Sequence, residues 1–148
     1  MQQYEVTQVK DLQQMDLTHL QEESREEGFR FLDRLEADYH NGTNTFDGIG
    51  EALFAVVSKE GKVLAVGGIN IDPFSDDQTI GRIRRFYVST KHRRSGIGKL
   101  LLDTLKSHAS CHFKLLVLNS SSQAEKFYQT CGFTKTEQFT RVTHILNL

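Results

Sequence analysis

Between the strand-like run Ile83–Val88 and the apolar run Leu100-Leu101-Leu102 lies a basic connection that ends in Arg93-Arg94-Ser95-Gly96-Ile97-Gly98-Lys99. A strand end, a glycine loop and a helix start in that order make a site for phosphate. The first turn of a helix carries unpaired N–H donors and about half a positive charge. Gly96 and Gly98 leave the backbone open to a ligand, and Arg93, Arg94 and Lys99 add formal charge. The chemistry on offer is the holding of a phosphate-bearing ligand.

Spacing narrows the choice of ligand. A nucleotide-binding P-loop needs a glycine where Arg93 stands and a Ser or Thr where Leu100 stands. A dinucleotide fingerprint needs a third glycine or alanine at Leu101, and an acid near the end of the next strand, where the chain has Asn119. Both motifs fail on two positions each.

The elements that must position this loop follow from hydrophobic periodicity. Tyr4–Val9 reads as a short edge strand, residues 12–27 as an exposed amphipathic helix, and Phe29, Leu32, Leu35 and Tyr39 as a second helix stopped at Asn41-Gly42. Residues 43–50 form a loop around Phe46, an expected core residue that could also line an acceptor site. The runs 53–57 and 63–71 flank Lys59-Glu60-Gly61-Lys62 and predict a hairpin, with Gly67 and Gly68 marking a bulge or a close backbone approach. A polar connection at 73–78 leads to the strand Ile83–Val88, the glycine loop and a helix over about 98–110. Leu115–Leu118 is a buried strand, and Ser120-Ser121-Ser122 is expected to cap a helix ending at Cys131-Gly132. Two β-rich runs, Thr134–Phe139 and Val142–Leu148, close the order β-α-α-β-β-β-α-β-α-β-β.

In that setting, Arg93-Arg94-Ser95-Gly96-Ile97-Gly98 resembles the Gln/Arg-x-x-Gly-x-Gly/Ala motif of the GNAT superfamily of N-acetyltransferases. Arg85-Phe86-Tyr87-Val88 is similar to the family's preceding strand, and Ala124–Phe133 looks like its Ala-x-x-Phe-Tyr-x-x-x-Gly-Phe segment. The likeness is good over about residues 50–135, and the element order extends it over the chain. It implies an α/β (α+β) fold: one GNAT acetyltransferase domain over residues 1–148, with a mixed, largely antiparallel sheet of six to seven strands. Helices flank that sheet, which is splayed between its fourth and fifth strands.

The resemblance also implies acetyl-CoA as cosubstrate. Its pantetheine arm would lie on the open edge of Phe86, Tyr87 and Val88, and its pyrophosphate on Arg93, Arg94, Ser95, Gly96, Ile97, Gly98 and Lys99. Ser121 stands where relatives often carry an Asn that touches the cofactor arm, and Asn119 is close enough in sequence to share that role. Aminolysis of a thioester requires an amine to lose a proton and a thiolate to leave, so a proton donor near sulfur and N–H groups near the carbonyl are the useful parts. By its place in the family's segment, Tyr128 is the expected general acid. No base is assigned. Where many relatives have a Glu this chain reads Arg82-Ile83-Arg84-Arg85, and Asp72, Glu22, Glu23 or a water chain remain open.

Composition bounds the rest. The chain has 148 residues, 38% hydrophobic, enough for one core, and no apolar stretch near the roughly 20 residues of a membrane span. Met1-Gln2-Gln3-Tyr4-Glu5 lacks the profile of a signal peptide, and Cys111 and Cys131 fit no paired spacing, so a cytoplasmic protein without a metal site is expected. His108, Cys111 and His112 lie close in sequence without an evident fourth ligand. Net charge is −1, but residues 1–50 carry 11 acids against 4 bases, and residues 79–148 carry 12 bases against 3 acids. This polarity suggests a basic cofactor side facing an acidic acceptor side, suited to a cationic amine; solvated helix faces are the plainer reading. The expected partners are acetyl-CoA and a small-molecule or peptide amine, with a homodimer open and neither nucleic acid nor membrane. The competing functions are an acetyl-CoA sensor without acceptor chemistry and, as a minor reading, nucleic-acid binding through the basic loop. Whether the acyl group is acetyl or longer is not set by these residues.

Overall fold

The hairpin at the centre of the chain forms as its turn chemistry requires. In the computed structural model, which describes residues 3–148, β2 (Ala52–Ser58) and β3 (Val63–Ile71) pair antiparallel. Gly61 takes a left-handed φ of 85° in the turn between them. Met1 and Gln2, part of the stretch read for a leader, lie outside the described residues. Around the hairpin stand β1 (Tyr4–Gln8), α1 (Thr18–Glu26), α2 (Phe31–Asn41), β4 (Ile80–Val88), α3 (Ile97–Ser110), β5 (Leu115–Leu118), α4 (Glu125–Thr130), β6 (Thr134–Lys135) and β7 (His144–Asn147). The strands form one seven-stranded sheet in the order β1-β2-β3-β4-β5-β7-β6. Every neighbouring pair is antiparallel except β4 and β5.

That parallel pair is where the sheet opens. Ile80, Gly81 and Arg82 pair with Leu115, Leu116 and Val117, and there the pairing stops. From Ile83 to Val88, β4 stays on β3 alone, as expected of a sheet splayed between its fourth and fifth strands.

Two cores hold the sheet between layers. Leu101, Leu102, Leu105 and Ala109 of α3 pack with Tyr128 of α4 on Ile69, Ile83, Leu116 and Leu118. On the other side, Leu20 of α1 and Leu32 and Leu35 of α2 pack with Phe46 on Leu53, Ala55, Val66 and Tyr87. Among the described residues no helix is long and apolar enough to cross a membrane.

Both features expected of Gly67 and Gly68 are present. Val66 faces Tyr87 and Gly68 faces Arg84, so β4 advances three residues while β3 advances two, a bulge centred on Arg85 at a φ of 58°. A Cβ on Gly67 would stand 2.8 Å from the Phe86 ring, and one on Gly68 would collide with Phe46. The bulge also breaks the alternation of side chains. Ile83, Phe86 and Val88 belong to the α3 core and Tyr87 to the α1–α2 core, while Arg85 reaches Asp38 of α2 at 3.6 Å.

Three local expectations are corrected. Residues 12–27 do not form one helix: a single 3-10 turn spans Leu12–Gln14, Met15 is extended, and α1 begins at Thr18, whose amide is taken by the Asp16 carboxylate at 2.9 Å. The serines do not cap α4. Its N-cap is Ala124, with no side-chain cap, and the Ser120 hydroxyl turns back to the Ser121 carbonyl at 2.7 Å. The run Thr134–Phe139 yields only the two-residue β6, because the Thr136 hydroxyl accepts from the Gln138 amide and folds the chain into a turn toward β7.

Candidate active site

The splay makes a cleft of about 880 Å³ along the open edge of β4. Its floor is Arg82–Val88, its far wall is Leu118, Asn119, Ser120, Ser121 and Tyr128, Phe29 and Phe31 line it beside α2, and Phe74 lines it under the guanidinium groups of Arg82 and Arg141. One end reaches the glycine loop. An opening of this size holds a drug-sized ligand, and the unpaired strand edge offers it backbone donors and acceptors.

The loop is shaped by backbone conformation. Arg94 and Gly96 are left-handed, with φ of 64° and 89°, and Gly96 caps α3 without a side chain. The first amides of α3 have no carbonyl one turn earlier to accept them, so successive N–H groups remain available to an anion. A Cβ on Gly96 would meet nothing within 4 Å, so Gly96 is there for its φ. Gly98 differs from the expectation of open space for a ligand. A Cβ there would stand 3.3 Å from Phe127 and 3.4 Å from Val88, so its missing side chain lets α3 close onto α4.

The cations of the loop are unequally free. Arg93 donates to both carboxylate oxygens of Glu27, at 2.9 and 2.7 Å, and its Nε donates to the Val88 carbonyl at 3.1 Å. Lys99 pairs with Asp103 one turn along α3 at 2.6 Å. Arg94 lines the cleft and has no carboxylate partner among the described residues. Ile97 is 1% exposed and belongs to the core by its side chain, and the Ser95 hydroxyl bonds the His92 carbonyl.

Several carboxylates of the acidic first part of the chain are engaged with the protein itself. Burial opposes ionisation of Glu23, but hydrogen bonds from the Thr90 amide and hydroxyl and from Ser89 outweigh it and hold its pKa low. The bond from Arg93 holds the Glu27 carboxyl below the usual carboxylate range, against burial. Glu27 also accepts from the Tyr87 hydroxyl. Asp33 pairs with Arg25 at 2.7 Å, and the buried Asp72 pairs with Arg82 at 2.8 Å. Two of the carboxylates weighed as bases, Glu23 and Asp72, are thus committed to structure, and Glu22 is not among the cleft residues.

Tyr128 stands across the cleft from β4, 8% exposed, with its ring 6.0 Å from Phe86, 5.2 Å from Phe127 and 5.9 Å from Phe133. Burial, with Cys131 beside it, raises its pKa above that of a free phenol, so the hydroxyl keeps its proton.

Of the residues expected at the site, Phe86, Tyr87, Val88, Arg93, Arg94, Gly96, Gly98, Lys99, Asn119, Ser121 and Tyr128 all line this one cleft. Phe46 does not; it is a core residue, 5% exposed. The sequence reading missed Glu27, Phe29, Phe31 and Phe74 as lining residues, and Arg82, Arg84 and Arg85 stood there as the stretch without a catalytic carboxylate rather than as a ligand-facing set. A signal for the last three existed. Arg82-Ile83-Arg84 alternates charge with an apolar residue in the middle of a strand, which turns arginine toward one face of the sheet.

A family model described as Acetyltransferase (GNAT) domain matches residues 19–147. The crystal structure of a candidate acetyltransferase from Exiguobacterium sp. 255-15 superposes with a TM-score of 0.89 at 33% identity, covering 99% of this chain and 94% of that one. An acetyltransferase from Streptococcus agalactiae 2603 shares the fold over 100% of both chains, with a TM-score of 0.76 at 15% identity. Over 74 residues the sequence is 39% identical to N-alpha-acetyltransferase 60 of Xenopus tropicalis, covering 45% of this chain and 31% of that protein's length.

Proposed function

The chain belongs to the GNAT acetyltransferase family, and on that premise we propose that it transfers the acetyl group of acetyl-CoA to a primary amine by direct attack in a ternary complex. The observation that carries this reading is the strand edge of Ile83–Val88, which leaves β5, runs along the cleft with its Val88 carbonyl held by Arg93, and leads through the glycine loop to the start of α3, which no side chain caps. An interior strand edge left partly unpaired is costly unless something completes it, and an amide-bearing pantetheine arm can pair with it as a strand would.

The residues fit the cosubstrate. The amides at the start of α3, the left-handed Arg94 and Gly96, and the unpaired Arg94 side chain would hold the pyrophosphate. Phe86, Tyr87 and Val88 would hold the arm by their backbones, with Asn119 and Ser121 on the opposite wall. When bound, acetyl-CoA supplies an activated acyl carbon whose oxygen gains negative charge under attack and whose sulfur leaves as thiolate. The chain's own part is to orient that group and to move a proton. Tyr128 carries a proton held by burial and faces the floor of the cleft, as a donor to sulfur requires. Arg93 acts through Glu27 and the Val88 carbonyl, so it positions the loop against α1.

The test is acetyl-CoA-dependent thiol release against a panel of amines, with Tyr128→Phe as control. Release with at least one amine, reduced in the variant, is the expected result. Binding of CoA with no release from any amine would replace this reading with that of an acetyl-CoA sensor.

A further inference from the structure

The end of the cleft away from the glycine loop is lined by arginines. Arg82, Arg84 and Arg85 all line it, and Glu27, at the loop end, is the only carboxylate among the lining residues. Arg82 is 3% exposed. Its Nε donates to Asp72 at 2.8 Å and its Nη1 to the Arg141 carbonyl at 2.8 Å, while its Nη2 is buried without a partner among the described residues. Its guanidinium stacks on Phe74, 4.8 Å from the ring centre. Arg84 makes no ion pair among the described residues, and Arg85 has only Asp38, at 3.6 Å.

An unpaired guanidinium in a part-buried cleft is unusual, because desolvation of the charge goes uncompensated. Here Arg84 is such a group, flanked by Arg82, whose partner Asp72 leaves its Nη2 free, and by Arg85, held by Asp38 only at 3.6 Å. Burial, and then the charge of Arg82, lower the pKa of Arg84, and burial beside Arg84 brings Arg85 down to about 10. An anion among them would relieve the repulsion and satisfy the free Nη2. Guanidinium forks suit the paired oxygens of carboxylate and phosphate.

Resting on the acetyl-transfer reading, we propose that the acceptor is an amine carrying an anionic group, carboxylate or phosphate, gripped by Arg84, Arg85 and the free Nη2 of Arg82. The amine then projects toward the β4 bulge, and the arginines fix which amines are acetylated. This reverses the cationic acceptor suggested by the acidic first half of the chain.

Two measurements test it. In the first, protein saturated with CoA, so that the glycine loop is filled, is titrated with inorganic phosphate and with acetate while its melting temperature is followed. One of the two anions raises it, and Arg84→Met and Arg85→Met abolish the rise. In the second, acetyl transfer is compared on matched pairs, an amino acid against its amide and an amino-sugar phosphate against the amino sugar. The preferred pair names the anion. Its charged member is favoured, and that preference over the neutral member falls about ten- to a hundredfold in Arg84→Met. No rise with either anion, or a rise unchanged in both variants, or transfer favouring neutral amines or polyamines, overturns the proposal. A rise that the variants abolish, with no transfer to any amine, supports the anion site and sinks the acetyl-transfer reading instead.

Discussion

Tyr128 in the cleft and Gly68 in the core illustrate what single residues decide. Burial keeps the Tyr128 phenol protonated across the working pH range, and its ring is fixed by contacts that a phenylalanine would keep. Tyr128→Phe is therefore expected to lower kcat by about 10²–10⁴-fold while changing the KM for acetyl-CoA little. Steady-state kinetics on the best amine check this, and an equal loss in affinity for acetyl-CoA would mark Tyr128 as a binding residue. At Gly68 the missing Cβ is occupied by the Phe46 ring, which holds the 43–50 loop in the α1–α2 core. Gly68→Ala is expected to destabilise the fold by about 1–3 kcal/mol through overpacking, read by denaturant unfolding. An unchanged midpoint would show that the ring can move aside.

At the scale of elements, the end of α1 is clamped to the end of β4 by carboxylates. Glu23 holds Ser89 and Thr90, and Glu27 holds Tyr87 and Arg93. The pKa of Glu27 lies lower in the folded state than in the unfolded chain. Its contribution is thus complete above the unfolded carboxyl value, about 4.3, and is lost as pH falls through the folded value. Glu27→Gln should melt below the wild type at pH 7, with the gap closing as pH drops below about 4. Melting curves across that range would refute the clamp if the gap were constant. The same variant frees Arg93, so the affinity for CoA should change with it.

For the whole molecule, burial rather than charge sets the first response to acid. His108, against Phe54 and His112, and His144, fully buried in β7, both have pKa values lowered by burial. A histidine with a depressed folded pKa contributes stability that is complete above its unfolded value of about 6.5 and lost as pH falls toward the folded value. The melting temperature should therefore begin to fall as pH drops below about 6.5, before the carboxylates of α1 protonate. A flat profile in that window would mean that both rings take up protons at no cost. Paired changes His108→Gln and His144→Gln should flatten the profile in folded variants. The charge polarity of the chain finds its physical meaning here too, since acids from the first half and bases from the second meet across the fold at Glu27–Arg93 and Asp38–Arg85.

The local pattern of residues by itself determined the hairpin, the buried strand Leu115–Leu118, the order of the elements and the glycine loop, because each depends on neighbours a few positions away. It also marked the tight packing at Gly67 and Gly68. The length of the splay, the bulge that turns Arg85 toward α2, and the pairing of Arg93 with a carboxylate 66 residues earlier were decided only in three dimensions. Whether a charge is free to hold a ligand depends on which elements come within about 4 Å of it, and that distance is set by the packing of α1 and α2 on the sheet. The glycine loop could be found in the sequence, and so could the alternation that turns Arg82 and Arg84 to one face; which of the cations remain free could not.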